Sequence, residues 1–185
     1  MMVNLNKLAT ELHSAAVEKG FWGVEDAEIK HIAKMHSELS EAIQEDRCGR
    51  PMLYVDDIEV EARITDPAMF DGRKPEGVAV ELADFVMMAL DLCAKEEYAL
   101  PSGDPHGWLL YDECNDDALR DSGLWTLVCA LHMELCNIVY NLNVAPKAIC
   151  MVHEWLRVHG VDLLGIIRLK MEYNKSRPAL HGRAY

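Results

Sequence analysis

Two acidic couplets, Glu38-Leu39-Ser40-Glu41 and Glu81-Leu82-Ala83-Asp84, each lie inside an apolar run of helical period. A spacing of three places both carboxylates of a couplet on one helix face. The apolar partners of the first are Ile32, Met35, Leu39, Ala42 and Ile43; those of the second are Val78, Leu82, Phe85, Val86, Ala89 and Leu90. The acids therefore border the faces that bury. Four carboxylates gathered in one bundle repel one another unless a cation sits between them. A hard divalent ion such as Mg²⁺ prefers oxygen ligands and suits the role. The plainer alternative is four solvated acids on the polar edges of two helices, and spacing alone leaves both open.

At 185 residues the chain is long enough for one domain with a real core, or for two small, closely packed halves. A net charge of -13 argues against a broad surface for nucleic acid or an anionic membrane. It leaves room for a phosphorylated small molecule, because a bound metal reverses the local sign. The cysteines Cys48, Cys93, Cys114, Cys129, Cys136 and Cys150 form no CxxC, and several lie in helical apolar runs. They suggest reduced core residues of a cytoplasmic protein. Neither a signal peptide nor an apolar run of membrane-spanning length is evident.

The pattern predicts an all-α bundle of about six helices. An amphipathic helix over about 4–19 carries Leu5, Leu8, Leu12, Ala15 and Ala16 and ends at Gly20. Phe21 and Trp22 form a short connection with both rings packed inward. A second helix starts near Glu25 or Asp26, carries the first couplet and runs to about Arg47, stopped by Gly49-Arg50-Pro51. From 48 to 74 the period breaks down. Residues 52–55 and 58–62 suit short extended pieces, and Asp66-Pro67 and Asp71-Gly72 are turn signals. An insertion between two site-bearing helices suits a lid or an oligomer contact, or an ordinary surface loop. Lys74-Pro75-Glu76 is expected to open the third helix, which runs to about Lys95. Residues 96–117 form the middle connection. Further helices are expected over about 124–142, 147–159 and 162–174, the last with Leu163, Ile166, Ile167, Leu169 and Met171 as its apolar set, before a basic, irregular tail.

An internal echo links His36-Ser37-Glu38-Leu39-Ser40-Glu41-Ala42-Ile43 with His132-Met133-Glu134-Leu135-Cys136-Asn137-Ile138-Val139. Asn137 stands where Glu41 does, and no ExxD follows in the fifth helix. Either the chain holds a metal-site half, residues 1–95, and a degenerate second half, 118–185, or two amphipathic helices resemble each other by chance. Other signals fail on missing partners. His153-Glu154 lacks the second histidine of HExxH, and the two HxE triplets lack PCxxC. Glu28 and His31 make a single ExxH, where a di-metal redox bundle needs two. No GxGxxG or P-loop occurs. Trp22, Trp108, Trp125 and Trp155 suit core or interface positions better than a stacking platform.

ExxE followed by ExxD on consecutive helices resembles the all-α nucleoside triphosphate pyrophosphohydrolases, the MazG-like and dimeric dUTPase-like group. Three stretches in this order resemble the MazG-like branch: Lys34 to Ala42, Lys74 to Asp84, and Lys170 to Pro178 with His181-Gly182. Together with the rest of the pattern they cover about half the chain. The resemblance implies a single all-α domain over 1–185 in which Glu38, Glu41, Glu81 and Asp84 hold Mg²⁺, with Mn²⁺ as a substitute. The implied reaction cleaves a ribo- or deoxyribonucleoside triphosphate to the monophosphate and pyrophosphate, as in house-cleaning of nucleotide pools. Lys34, Lys170, Asn174, Lys175 and Arg177 would bind phosphate. Many members carry an extra glutamate just before the first ligand; Ser37 stands there in this chain. A ligand glutamate (Glu38 or Glu41) or Glu45 would then accept the proton, or turnover would be weakened to nucleotide binding or a scaffold role. Asp91, seven after Asp84, suits a supporting acid. A homo-oligomer, as a dimer, is implied as well, unless the echoed half supplies the second hairpin.

Overall fold

The computed structural model describes residues 4–61, 66, 70–103, 122–138 and 140–182. Within them the chain is an all-α bundle: α1 (Leu5–Glu18), α2 (Ala27–Arg47), α3 (Val78–Lys95), α4 (Leu124–Ile138), α5 (Ala145–Val158) and α6 (Leu163–Ser176). One small antiparallel hairpin interrupts it, β1 (Tyr54–Val55) with β2 (Ile58–Glu59). None of the described helices is long and apolar enough to cross a membrane.

Helix α3 is the centre. It packs against α1, α2, α5 and α6, and α2 also packs on α4. Its residues from Val78 to Cys93 are buried apart from Asp84 and Met88. The expected apolar set of α3 is buried in full, and that of α2 is buried except for Ile43, which is half-covered. On α1, Ala9 joins the core in place of Ala15, which is exposed. Met35, Leu39, Leu82, Phe85 and Leu90 fill the space between the first three helices, and Leu127, Leu131, Leu135, Ile149 and Leu156 fill that between α4 and α5.

Local chemistry sets the helix ends. Asn4 caps α1 by accepting from the Lys7 amide at 3.1 Å, and Asp162 caps α6 by accepting from the Leu164 amide at 3.1 Å. Gly20, at φ +85°, turns the chain out of α1.

Several boundaries differ from the sequence expectation. Lys74-Pro75-Glu76 does not open α3: Glu76 forms a bridge with Tyr54, its amide and carbonyl both bonded to the Tyr54 backbone at 3.0 and 2.9 Å. A residue committed to that ladder cannot also enter a helix. The short extended pieces expected at 52–55 and 58–62 are present as β1 and β2, paired in a hairpin whose turn is Asp56 and Asp57 at φ +50° and +63°; Leu53, Tyr54, Val55 and Phe70 are buried. Helix α4 ends at Ile138 rather than near 142, where a 3-10 turn, Leu142–Val144, takes over. Helix α5 starts earlier, at Ala145, because Pro146 is tolerated in a first turn. Cys93 and Cys150 are core residues, but Cys48, Cys129 and Cys136 are exposed, against expectation. Pro67, Trp108, Cys114, Val139 and most of the middle connection lie outside the described residues.

Gly77 is the joint that aims α3. It stands at φ +117°, and a Cβ there would sit 2.6 Å from the Met52 carbonyl oxygen and 2.7 Å from that of Pro51. The Ala79 amide donates to the same Met52 oxygen at 3.0 Å. Gly77→Ala combines positive-φ strain with a clash against backbone. It should lower stability by at least about 2 kcal/mol, read as a drop in urea midpoint at unchanged slope; an unshifted midpoint would contradict this packing.

Candidate metal centre

Helices α2 and α3 bring their couplets face to face. Glu38 and Glu41 of α2 and Glu81 of α3 each offer a carboxylate oxygen, and these oxygens lie within 4.8 Å of one another. Glu38 and Glu81 are only 6% and 8% exposed, while Glu41 opens to solvent. So one edge of the cluster is dry and one is wet. The apolar neighbours that bury each helix carry Glu38 and Glu81 in with them, next in sequence to the fully buried Leu39 and Leu82.

Burial dominates the electrostatics. It pushes the Glu38 carboxyl up to about 7, helped by the Asp84 and Glu41 charges and opposed by Lys34 and Lys170. Burial likewise pushes Glu81 up to about 8, helped by Asp84, Glu38 and Glu41 and opposed by Lys170. The acids are thus under-neutralised, as an oxygen set built around a further cation would be. This donor set fits Mg²⁺ or Mn²⁺ and holds no soft ligand.

The fourth acid is placed differently. Asp84 Oδ2 accepts from Lys170 Nζ at 2.7 Å and stands outside the converging trio. Lys170, on α6, is 4% exposed. Lys34, one turn before Glu38 on α2, lies 3.7 Å from its carboxylate and 5.6 Å from the centre of the Phe21 ring. Two of the expected phosphate-binding lysines therefore meet the acids.

The remaining expected residues scatter. Asn174 follows Lys170 by one helical turn, and its buried Oδ1 has no hydrogen-bond partner. Lys175 faces solvent and pairs with Glu172 at 2.6 Å. Arg177 lies over the Tyr173 ring at 5.8 Å, and its carbonyl accepts from Lys19. Glu45 is held away from the trio by the Tyr54 hydroxyl, which donates to it at 2.9 Å. Ser37 donates to Glu41 Oε1 at 2.8 Å, so it fixes the orientation of that acid.

Asp91 is not a supporting acid of the trio. It is the buried hub of a separate network, accepting from His13 Nδ1 at 2.7 Å and from the Trp22 indole at 3.0 and 3.1 Å. His31 stacks on Trp22 and donates through Nε2 to the Met88 carbonyl at 2.9 Å. The network ties α1, the α1–α2 connection and α2 to α3. It explains why Trp22 turns inward. A polar side chain on a buried helix was the available signal, but neither His13 nor Trp22 is near Asp91 in sequence.

The chain matches no protein-family profile, no curated protein and no solved structure.

Folding favours the protonated forms of Glu38 and Glu81, because both sit above their ordinary value of 4.5. That contribution is full below about pH 4.5 and is lost as pH rises through about 7 to 8. In EDTA, the melting temperature of the wild type should therefore fall between pH 5.5 and 8.5 more steeply than that of Glu81→Gln. His31, which burial holds below its ordinary value, contributes equally to both proteins and cancels in the difference. Parallel curves would mean that Glu81 is as well solvated as a surface acid.

Proposed function

We propose that the protein is a Mg²⁺-dependent nucleoside triphosphate pyrophosphohydrolase of the all-α, MazG-like kind. The observation that carries this is the convergence of Glu38, Glu41 and Glu81 from two adjacent helices, with Lys34 beside Glu38 and Lys170 on the neighbouring Asp84. The sequence resemblance supplies the reaction class. The geometry supplies what that class needs: buried oxygen donors for a hard cation, an open edge for a polyanion, and cationic groups to meet phosphate.

In this reading Glu38, Glu41 and Glu81 hold the cation, joined by Asp84 once its lysine is displaced. When bound, Mg²⁺ offsets triphosphate charge and acidifies water. Ser37 keeps Glu41 in one orientation by its hydrogen bond. Lys34, at the rim, is placed to meet the outer phosphates and draw the substrate to the cluster. Water attacks the α-phosphorus, the bond from that phosphorus to the α–β bridging oxygen breaks, and pyrophosphate leaves. The water's proton goes to a carboxylate. Glu41 is the best placed of the candidates, because it is the solvent-facing member of the trio and Glu45 is engaged by Tyr54.

A second reading has its own observation. The residue before Glu38 is Ser37, Glu45 is tied down by Tyr54 and Asp84 by Lys170, so among the described residues each of these acids near the trio is already engaged or missing. Such a site could bind metal and nucleotide with little turnover. A panel of nucleoside and deoxynucleoside triphosphates with Mg²⁺ separates the two. The enzyme should release pyrophosphate and monophosphate in equal amounts from at least one substrate, and Glu41→Gln should reduce the rate by about 100-fold or more. Nucleotide binding without release would favour the second reading, and full activity in Glu41→Gln would remove the trio from the chemistry.

A further inference from the structure

The Lys170–Asp84 pair is unusual among the ion pairs of the described residues. Most of the others include a partner that water reaches freely. Lys170 is 4% exposed, its side chain crosses from α6 to α3, and it reaches the acid cluster at the one carboxylate that does not converge with the other three. It also feels Glu81 and Glu38, and although burial opposes its charge these acids keep the ammonium firmly protonated. A buried ammonium is strongly destabilising without an anion beside it. It must therefore always have one: a carboxylate of the cluster, of which Asp84 is the one it touches, or a phosphate group arriving there.

Resting on the pyrophosphohydrolase reading, we propose that Lys170 is a tethered cation that holds Asp84 in the metal-free protein and transfers to a substrate phosphate when a divalent ion takes Asp84. Three observations carry this. Asp84 lies at the expected spacing from Glu81 and its charge acts on both Glu38 and Glu81, yet its carboxylate is engaged by Lys170 and stands outside the converging trio. Lys170 is long and unbranched, so its ammonium can change partner while its stem stays packed. Asn174, one turn further along α6, has a buried amide oxygen with no partner. That side of α6 therefore has a polar group unsatisfied in the same state in which Lys170 is engaged with Asp84.

The exchange has a consequence that a purely structural ion pair lacks. Lys170 competes with the metal for Asp84, and phosphate relieves the competition. Metal and phosphate should then bind with positive coupling through this one side chain. Lys170→Met keeps the apolar stem and removes the competing charge.

The test is Mn²⁺ binding, followed by the electron paramagnetic resonance signal of the free ion, with and without non-hydrolysable imidodiphosphate. Thermal melts check that the variant is folded. Lys170→Met should bind Mn²⁺ about tenfold more tightly than wild type in the absence of the anion. It should also lose most of the enhancement that imidodiphosphate gives the wild type. Unchanged or weaker Mn²⁺ affinity in folded Lys170→Met, with normal binding by wild type, overturns the exchange and leaves the pyrophosphohydrolase reading standing. Absence of Mn²⁺ binding in both proteins overturns both.

A second measurement needs no variant. The Lys170 ammonium should give a slowly exchanging ¹H–¹⁵N signal in metal-free wild type. That signal should shift or broaden on adding Mg²⁺ and sharpen again with imidodiphosphate. A signal indifferent to Mg²⁺, at concentrations where Mg²⁺ protects the protein thermally, contradicts the exchange.

Discussion

Helix α3 is packed on nearly every side, so each charge it carries must be answered inside the bundle. Glu81, Asp84 and Asp91 are its acids, and each is answered differently. Asp91 is met by His13 and Trp22, Asp84 by Lys170 in direct contact, and Glu81 by the charge of the same Lys170. Beside the apolar core that joins the helices, these three needs add polar ties to α3. Helix α1 and the α1–α2 connection are drawn onto α3 by the Asp91 network. Helix α6 is fixed to α3 through Lys170. Helix α2 closes the remaining side and adds Glu38 and Glu41 to Glu81, which concentrates negative charge in one place.

The echoed segment of α4 answers its acid with a lysine. Glu134 of α4 occupies the echoed position of Glu38, and it pairs with Lys147 of α5 at 2.7 Å. The histidines that open the two echoed segments, His36 and His132, meet each other, their rings nearly parallel and their Nδ1 atoms 2.8 Å apart. One ring donates and the other accepts. Contact between equivalent residues is what a two-fold relation produces at its axis. The packing of α2 on α4 and of α3 on α5 has the same character. These contacts are what a duplicated hairpin would produce, with Lys147 standing beside Glu134.

Much of this was legible in the sequence because helical period depends on short spacings. The apolar sets of α2 and α3, the two couplets on their burying edges and the stops at Gly20 and after Arg47 all involve residues within a few turns of one another. What escaped was long-range. Glu76 reads as a helix start until Tyr54 claims its backbone. Asp91 reads as an extension of the Asp84 face until His13, 78 residues away, is seen to hold it. Lys170 was expected to meet phosphate, but its partner here is Asp84, a pairing no local pattern encodes. Glu45 follows Glu41 by one turn, and only the folded hairpin with Tyr54 shows that its carboxylate is engaged elsewhere.

The central claim is that Glu38, Glu41 and Glu81 form a cation site. Its most direct test is calorimetric titration of Mg²⁺ at pH 7 into wild type and Glu81→Gln, in two buffers of different ionisation enthalpy. Binding to wild type should release protons, because the cation displaces those that burial keeps on Glu38 and Glu81, and the signal should be lost or greatly weakened in the variant. Equal heats in both proteins, or no binding by wild type, would return the three acids to the status of an ordinary acidic patch.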